Sequence, residues 1–175
     1  VVFILFGCGS STKQAENVEI VDYRTGIASS PNLSITVPSG WREIDDNKNK
    51  IFEIWLVNKE NNASIGFIPI HLDKRFGDKS DVDKHKLVVD LLLNKKKSTA
   101  SDFKVLLNEE NSSNYNFTTI KYLTDNKLQN SIIFGTGDLF YESLAYSDNN
   151  SDLSESEIEE IFKVQNDIVT TSQIK

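Results

Sequence analysis

Between residues 103 and 146 the chain carries four runs rich in β-branched and aromatic residues, at 103–107, 115–123, 128–134 and 139–146. The segments between them are short and contain Asn, Asp and Gly, among them Thr124-Asp125-Asn126-Lys127 and Gly135-Thr136-Gly137-Asp138. Links of hairpin length join antiparallel neighbours, since a parallel pair needs a crossover of a dozen residues or more. The runs therefore predict a meander, and the segment C-terminal to them predicts its cover. Ser154 stands three residues before Glu157, and Leu153 five before Ile158, which are the spacings of a capping box and a hydrophobic staple. Ile158, Ile161, Phe162, Gln165, Ile168 and Val169 then recur at helical spacing, so a closing helix presents one largely apolar stripe to the sheet.

The first half adds strands and one more helix. Residues 18–23 read as a short strand. Leu33–Val37 alternates with period two between Ser29-Ser30-Pro31-Asn32 and Pro38-Ser39-Gly40, and a strand then leads into Trp41. Residues 51–57 and 63–70, joined by Asn58-Lys59-Glu60-Asn61-Asn62, read as an antiparallel hairpin. From Asp81 to about Lys97 the apolar residues Val82, Leu87, Val88, Leu91 and Leu92 follow helical spacing, with Ser80 as cap and Asp83 three residues on. Lys95, Lys96 and Lys97 fall at the negative end of that helix's dipole, where a solvated end is the reading preferred over a contact with anionic headgroups. No internal repeat and no low-complexity block interrupts this order.

At 175 residues the chain fits one domain. Its 38% apolar and 26% charged residues exclude wholesale disorder, collagen and a polytopic membrane protein. A net charge of -7 argues against a nucleic-acid partner held by phosphate contacts.

The N-terminus points to an address. Residues 1–7 are apolar or Gly and end at Leu5-Phe6-Gly7-Cys8, before the polar Gly9-Ser10-Ser11-Thr12-Lys13. This resembles a bacterial lipobox, with Leu5 three places before Cys8 and a small residue just before it; Phe6 is bulkier than the usual middle residue. On that reading residues 1–7 are the end of a signal peptide that begins upstream of Val1, 8–17 are a lipidated Cys8 and its tether, and 18–175 are the folded domain. The resemblance implies a diacylglyceryl thioether on Cys8, hence a membrane anchor on the extracytoplasmic side, in the periplasm or on the cell surface. Each buried methylene stabilises the bound form by about 0.8 kcal/mol, so two or three acyl chains hold a domain durably. A non-lipidated signal peptide and an apolar first strand with a buried free thiol are the alternatives. With one cysteine, neither an intrachain disulfide nor a Cys-rich zinc site can form.

The order strand, Pro38-Ser39-Gly40-Trp41, hairpin, helix, meander and closing helix resembles the fold shared by the photosystem II extrinsic PsbP family and the Ran-binding Mog-type nuclear import factors. The likeness spans residues 18–175 and rests on Leu33–Val37 with its Pro-x-Gly-Trp ending, residues 51–57, and the meander with its helix. It implies an α+β fold: an antiparallel sheet of about six or seven strands flanked by helices, a PsbP-like αβα sandwich. It also implies binding or scaffolding work without a cofactor, rather than catalysis, while neither family partner transfers.

Chemistry elsewhere is sparse. Asp148, Asn150, Asp152 and Glu159 occupy positions 1, 3, 5 and 12 of an EF-hand-like loop, but Leu153 replaces the turn glycine, and helix capping accounts for the same acidic residues. His71 and His85, the two histidines, stand in no metal-binding spacing. Gly-x-Ser-x-Gly is absent, and Gly135-Thr136-Gly137 lacks the Lys-Ser/Thr of a phosphate loop, so it reads as a hairpin turn. The aromatic residues are mostly core. Where a partner or apolar ligand is bound, the sheet face expected to carry Trp41, Trp55 and Tyr141 is the candidate surface. The reading is thus a membrane-anchored module that binds an unidentified protein; the alternatives are a carrier of a small apolar ligand or lipid between sheet and helix, and, more weakly, a metal-assisted hydrolase.

Overall fold

A computed structural model describes residues 25–45, 51–60, 62–112, 115–125, 127–147 and 153–175. The elements in chain order are β1 (Gly26–Ser29), β2 (Leu33–Val37), β3 (Trp41–Glu43), β4 (Ile54–Asn58), β5 (Ala63–His71), α1 (Asp81–Thr99), β6 (Lys104–Ser112), β7 (Asn116–Thr124), β8 (Lys127–Thr136), β9 (Leu139–Ser147), α2 (Glu155–Thr171) and β10 (Gln173–Ile174). A single 3-10 turn at Lys74–Phe76 leads into α1.

Seven strands form one sheet in the order β3-β4-β5-β9-β8-β7-β6, and every neighbouring pair is antiparallel. The meander is there as expected, and it turns back tightly: Thr136 pairs with Leu139, leaving Gly137 and Asp138 as a two-residue turn with Gly137 at φ +60°. Three further strands, β1-β2-β10, make a small second sheet. The backbone N–H of Lys175 donates to Asn32 O at 2.9 Å, so the end of the chain closes that sheet.

Strand periodicity sorts the side chains into two cores. On one face Ile65 and Phe67 of β5, Ile132 and Phe134 of β8 and Tyr141 of β9 pack with the small sheet and with Ile161, Phe162, Ile168 and Val169 of α2. On the other, Ile120 and Tyr122 of β7, Ile133 of β8 and Phe140 of β9 pack under Val88 and Val89 of α1. The architecture is α+β, with a helix on each side of the main sheet. Both helices begin as expected: Ser80 Oγ accepts from the Asp83 N–H, and Ser154 with Glu157 forms the capping box. Leu153 and Ile158 both pack against the α2 core.

Four expectations need correction or lie elsewhere. The buried face of α1 is Lys84, His85, Val88 and Val89, with Val82 and Leu91 about half exposed, at 49% and 54%. Lys84 pairs with Asp138, His85 with Thr118 and Lys96 with Glu142 on the sheet side, so the apolar stripe of Val82, Leu87, Val88, Leu91 and Leu92 does not set the helix orientation alone. β6 runs to Ser112 instead of ending near 107, because pairing along β7 carries the polar Asn108-Glu109-Glu110-Asn111 into the ladder despite poor strand propensity. β1 and β10 carry no apolar alternation long enough to announce them. The strand expected at 18–23 lies outside the described residues, as do the signal and tether assigned to 1–17.

Candidate binding site

The Pro38-Ser39-Gly40-Trp41 segment is the elbow between the two sheets. Trp41 N–H donates to Pro38 O at 3.1 Å and Gly40 sits at φ +85°, the geometry of a type II turn, whose third position favours glycine. The turn ends β2 and starts β3, which swings the Trp41 indole into the α2-side core, where it is 6% exposed. Opposite the elbow, the β4–β5 loop is pinned by one side chain: Asn58 Oδ1 accepts from the N–H groups of Asn62 and Ala63 at 3.0 and 3.1 Å. Lys59 N–H donates to Gly40 O at 2.8 Å, tying loop to elbow.

Between this loop, the elbow and the first turns of α2 lies an open cleft of about 510 Å³. Trp41, Leu153, Ile161 and Val164 give it an apolar floor, and Lys59, Glu60, Glu157 and Glu160 stand on its rim. The Ser154 cap holds the Glu157 carboxyl below its usual range, so the rim keeps that negative charge. A second, largely apolar cleft of about 230 Å³ opens between α2 and β2, and a polar one of about 420 Å³ lies on the opposite flank of α2, toward β6 and β7.

The residues singled out from sequence are not gathered in one place. Trp41 and Tyr141 do share the α2-side face, but both are buried, and Tyr141 is fully so. Trp55 neighbours Ile54 and Leu56 on β4, which face that same core, so strand alternation turns it to the opposite face. There its ring lies 5.7 Å from that of Phe52, and it pairs across the strands with Gly66. The expected common face for Trp41, Trp55 and Tyr141 is therefore corrected: only Trp41 borders a cleft, at its edge. Of the calcium candidates, Asp148, Asn150 and Asp152 lie outside the described residues, while the Glu159 carboxylate is paired with Lys121 at 2.5 Å. His71 is exposed at the end of β5. His85 is buried, its Nε2 2.8 Å from Thr118 Oγ1, and burial holds its imidazole below the ordinary range despite the opposing pull of Glu110. Among the described residues no cluster of His, Cys, Asp and Glu could hold a metal ion.

Two polar networks escaped the sequence. Under α1, Lys96 Nζ lies 2.7 Å from Glu142 Oε1 and 4.8 Å from the centre of the Tyr122 ring, and Ser131 Oγ donates to the same Glu142 oxygen. Burial opposes the charge on Lys96, but Glu142 and Tyr122 outweigh it and hold the ammonium above its usual range. The Lys95–Lys97 run is thus not simply a solvated end, since its middle residue turns inward. Beside the small sheet, Tyr141 OH donates to Glu53 Oε2 at 2.9 Å, and Glu53 Oε1 accepts from Ser30 and Asn32. Burial first, and the Glu53 carboxylate second, push the Tyr141 phenol far up. The readable signal was position: Glu142 falls inside a strand with apolar groups on both faces, where a carboxylate demands a partner.

No protein-family model and no curated protein sequence matches the chain. Solved structures do. The solution structure of cyanobacterial PsbP (CyanoP) from Synechocystis sp. PCC 6803 superposes with a TM-score of 0.57 at 9% identity, covering 98% of this chain and 99% of that one. The crystal structure of LpqN, involved in cell envelope biogenesis of Mycobacterium tuberculosis, gives 0.53 at 13% identity over 87% and 91%. At such identities the likeness is one of fold, and the fold is PsbP-like.

Proposed function

We propose that this chain is a non-enzymatic binding module of a bacterial cell envelope, tethered by lipid on Cys8 and exposed on the extracytoplasmic side. The observation that carries the binding reading is the Trp41 cleft, an apolar depression with a charged rim at the seam between the two sheets and α2. The PsbP-like fold over nearly the whole chain supports it, as does the role of LpqN in envelope biogenesis. The Leu5-Phe6-Gly7-Cys8 sequence supports the anchor. No described helix is long and apolar enough to cross a membrane.

Two measurements test the reading. Cys8→Ala should move the protein from the membrane to the soluble fraction, and full membrane retention would overturn the anchor. Purification of the native protein from detergent should bring down a protein partner in stoichiometric amount. Recovery of an extractable lipid or small molecule with no protein would replace the module with a carrier.

A further inference from the structure

The two clefts on the β2–β3 side of α2 are parts of one trough. They share Val164, and the α2 residues that line them, Glu157, Glu160, Ile161 and Val164 in the first and Val164, Asp167, Ile168 and Thr171 in the second, follow each other by threes and fours. That spacing is one face of a helix. The facing wall is built by Thr36 and Pro38 at the end of β2 and by Gly40 and Trp41 of the elbow. The trough follows α2 from Glu157 to Thr171, about 22 Å at roughly 1.5 Å per residue. About seven residues of extended peptide span that distance at roughly 3.3 Å each.

Its charge is one-sided. Glu60, Glu157, Glu160 and Asp167 line it, and among the described residues Lys59 is the one cation in its lining. Lys163 reaches Glu160 only at 3.6 Å, with both side chains about two-thirds exposed, so that pair neutralises little. The other flank of the same helix is mixed instead, its cleft lined by Lys121 and Lys163 as well as Glu109 and Glu159. The floor supplies apolar contact through the half-buried Leu153 and Val164 and the edges of Trp41, Ile161 and Ile168.

We infer that this trough takes an extended, cationic segment of a partner protein, with apolar side chains at alternate positions seated along Leu153, Val164 and the Trp41 edge and Lys or Arg side chains answering the acidic wall. The inference rests on the binding-module reading and names the partner's chemistry. Alternation suits it, because successive side chains of an extended chain point to opposite sides, one set to the floor and one to the rim.

The separation of the two tryptophans supplies the assay. Trp55→Phe, on the opposite sheet face, leaves Trp41 as the single tryptophan reporter of the trough. Three synthetic peptides of about seven residues would be titrated against the full chain, alternating leucine with lysine, with serine or with glutamate. The lysine peptide should give a saturable change in Trp41 emission that weakens as salt is raised, and the glutamate peptide none. The combined Glu60→Gln, Glu160→Gln, Asp167→Asn variant, all at exposed positions, should bind the lysine peptide at least about tenfold more weakly, a loss on the order of 1.4 kcal/mol. Glu159→Gln on the other flank should leave its affinity unchanged. Equal affinity for the three peptides, no binding of any, or no effect of the triple substitution would each overturn the inference. Crosslinking in cells separates this from the broader reading: a partner captured equally by the triple variant overturns the trough and leaves the module standing, whereas no captured protein overturns both.

Discussion

The two helices cover opposite faces of one sheet by different physics. α2 docks through Ile161, Phe162, Ile168 and Val169, and its single buried amide, Gln165, is satisfied by Asn130 Nδ2 at 2.9 Å and by Ser143 O and Oγ at 2.8 and 3.1 Å. α1 buries only Val88 and Val89 among its apolar side chains and brings Lys84, His85 and Lys96 to Asp138, Thr118 and Glu142. Apolar burial is non-directional and indifferent to protonation, whereas ion pairs and hydrogen bonds fix an angle and answer to pH. The same sheet thus holds one helix by area and the other by address.

The largest effect should come from the apolar side. Phe162→Ala is expected to cost about 3–5 kcal/mol in urea unfolding, and a loss below about 1 kcal/mol would mean that α2 is not packed as described. On the polar side, Glu142→Ala strands the Lys96 ammonium. It should cost somewhat less, near the lower end of the roughly 3–5 kcal/mol seen for broken buried pairs, because Lys96 keeps some solvent access. The double change Lys96→Met with Glu142→Leu should recover most of that loss. Failure to recover would show that the network contributes more than compensation of its own desolvation.

Protonation separates the helices further. The His85 imidazole is held below its ordinary value near 6.5, so its contribution to stability is full above that value and is lost as pH falls and the unfolded chain takes up a proton that the folded one refuses. The Lys96 ammonium is held up, so its contribution is full below about 10.5 and is lost as pH rises beyond it. Amide exchange, corrected for intrinsic rate, should show α1 losing protection as pH falls below about 6.5 while α2 holds. Equal loss in both helices would break the comparison. The smallest effect belongs to the exposed apolar residues of α1: Val82→Ser should change stability by no more than about 0.5 kcal/mol, and a larger loss would restore the apolar stripe to the docking face.

The same contrast explains what could be read in advance. The stripe of α2 declares itself because its docking face is apolar and periodic, and the capping box marks its start. The meander declares itself because β-branched runs and turn residues alternate at hairpin lengths. α1 hides its orientation because Lys84, His85 and Lys96 look like solvent-facing residues until Asp138, Thr118 and Glu142, up to 54 positions away in sequence, are brought beside them. Residue type alone puts Trp41 and Trp55 together, while their faces depend on strand register, which a one-residue shift inverts. The trough along α2 was illegible for another reason: it joins Pro38, Trp41 and Glu60 to a helix about a hundred residues downstream, and only its Pro-Ser-Gly-Trp elbow left a local mark.

The measurement that bears most directly on function is site-specific photocrosslinking of the native protein in cells, with the crosslinker placed at Lys59 on the rim of the Trp41 cleft and, as the control, at Val82 on the exposed side of α1. The account predicts a discrete protein adduct from Lys59 and none from Val82. Adducts to no protein at Lys59, with a lipid or small molecule recovered instead, would contradict it.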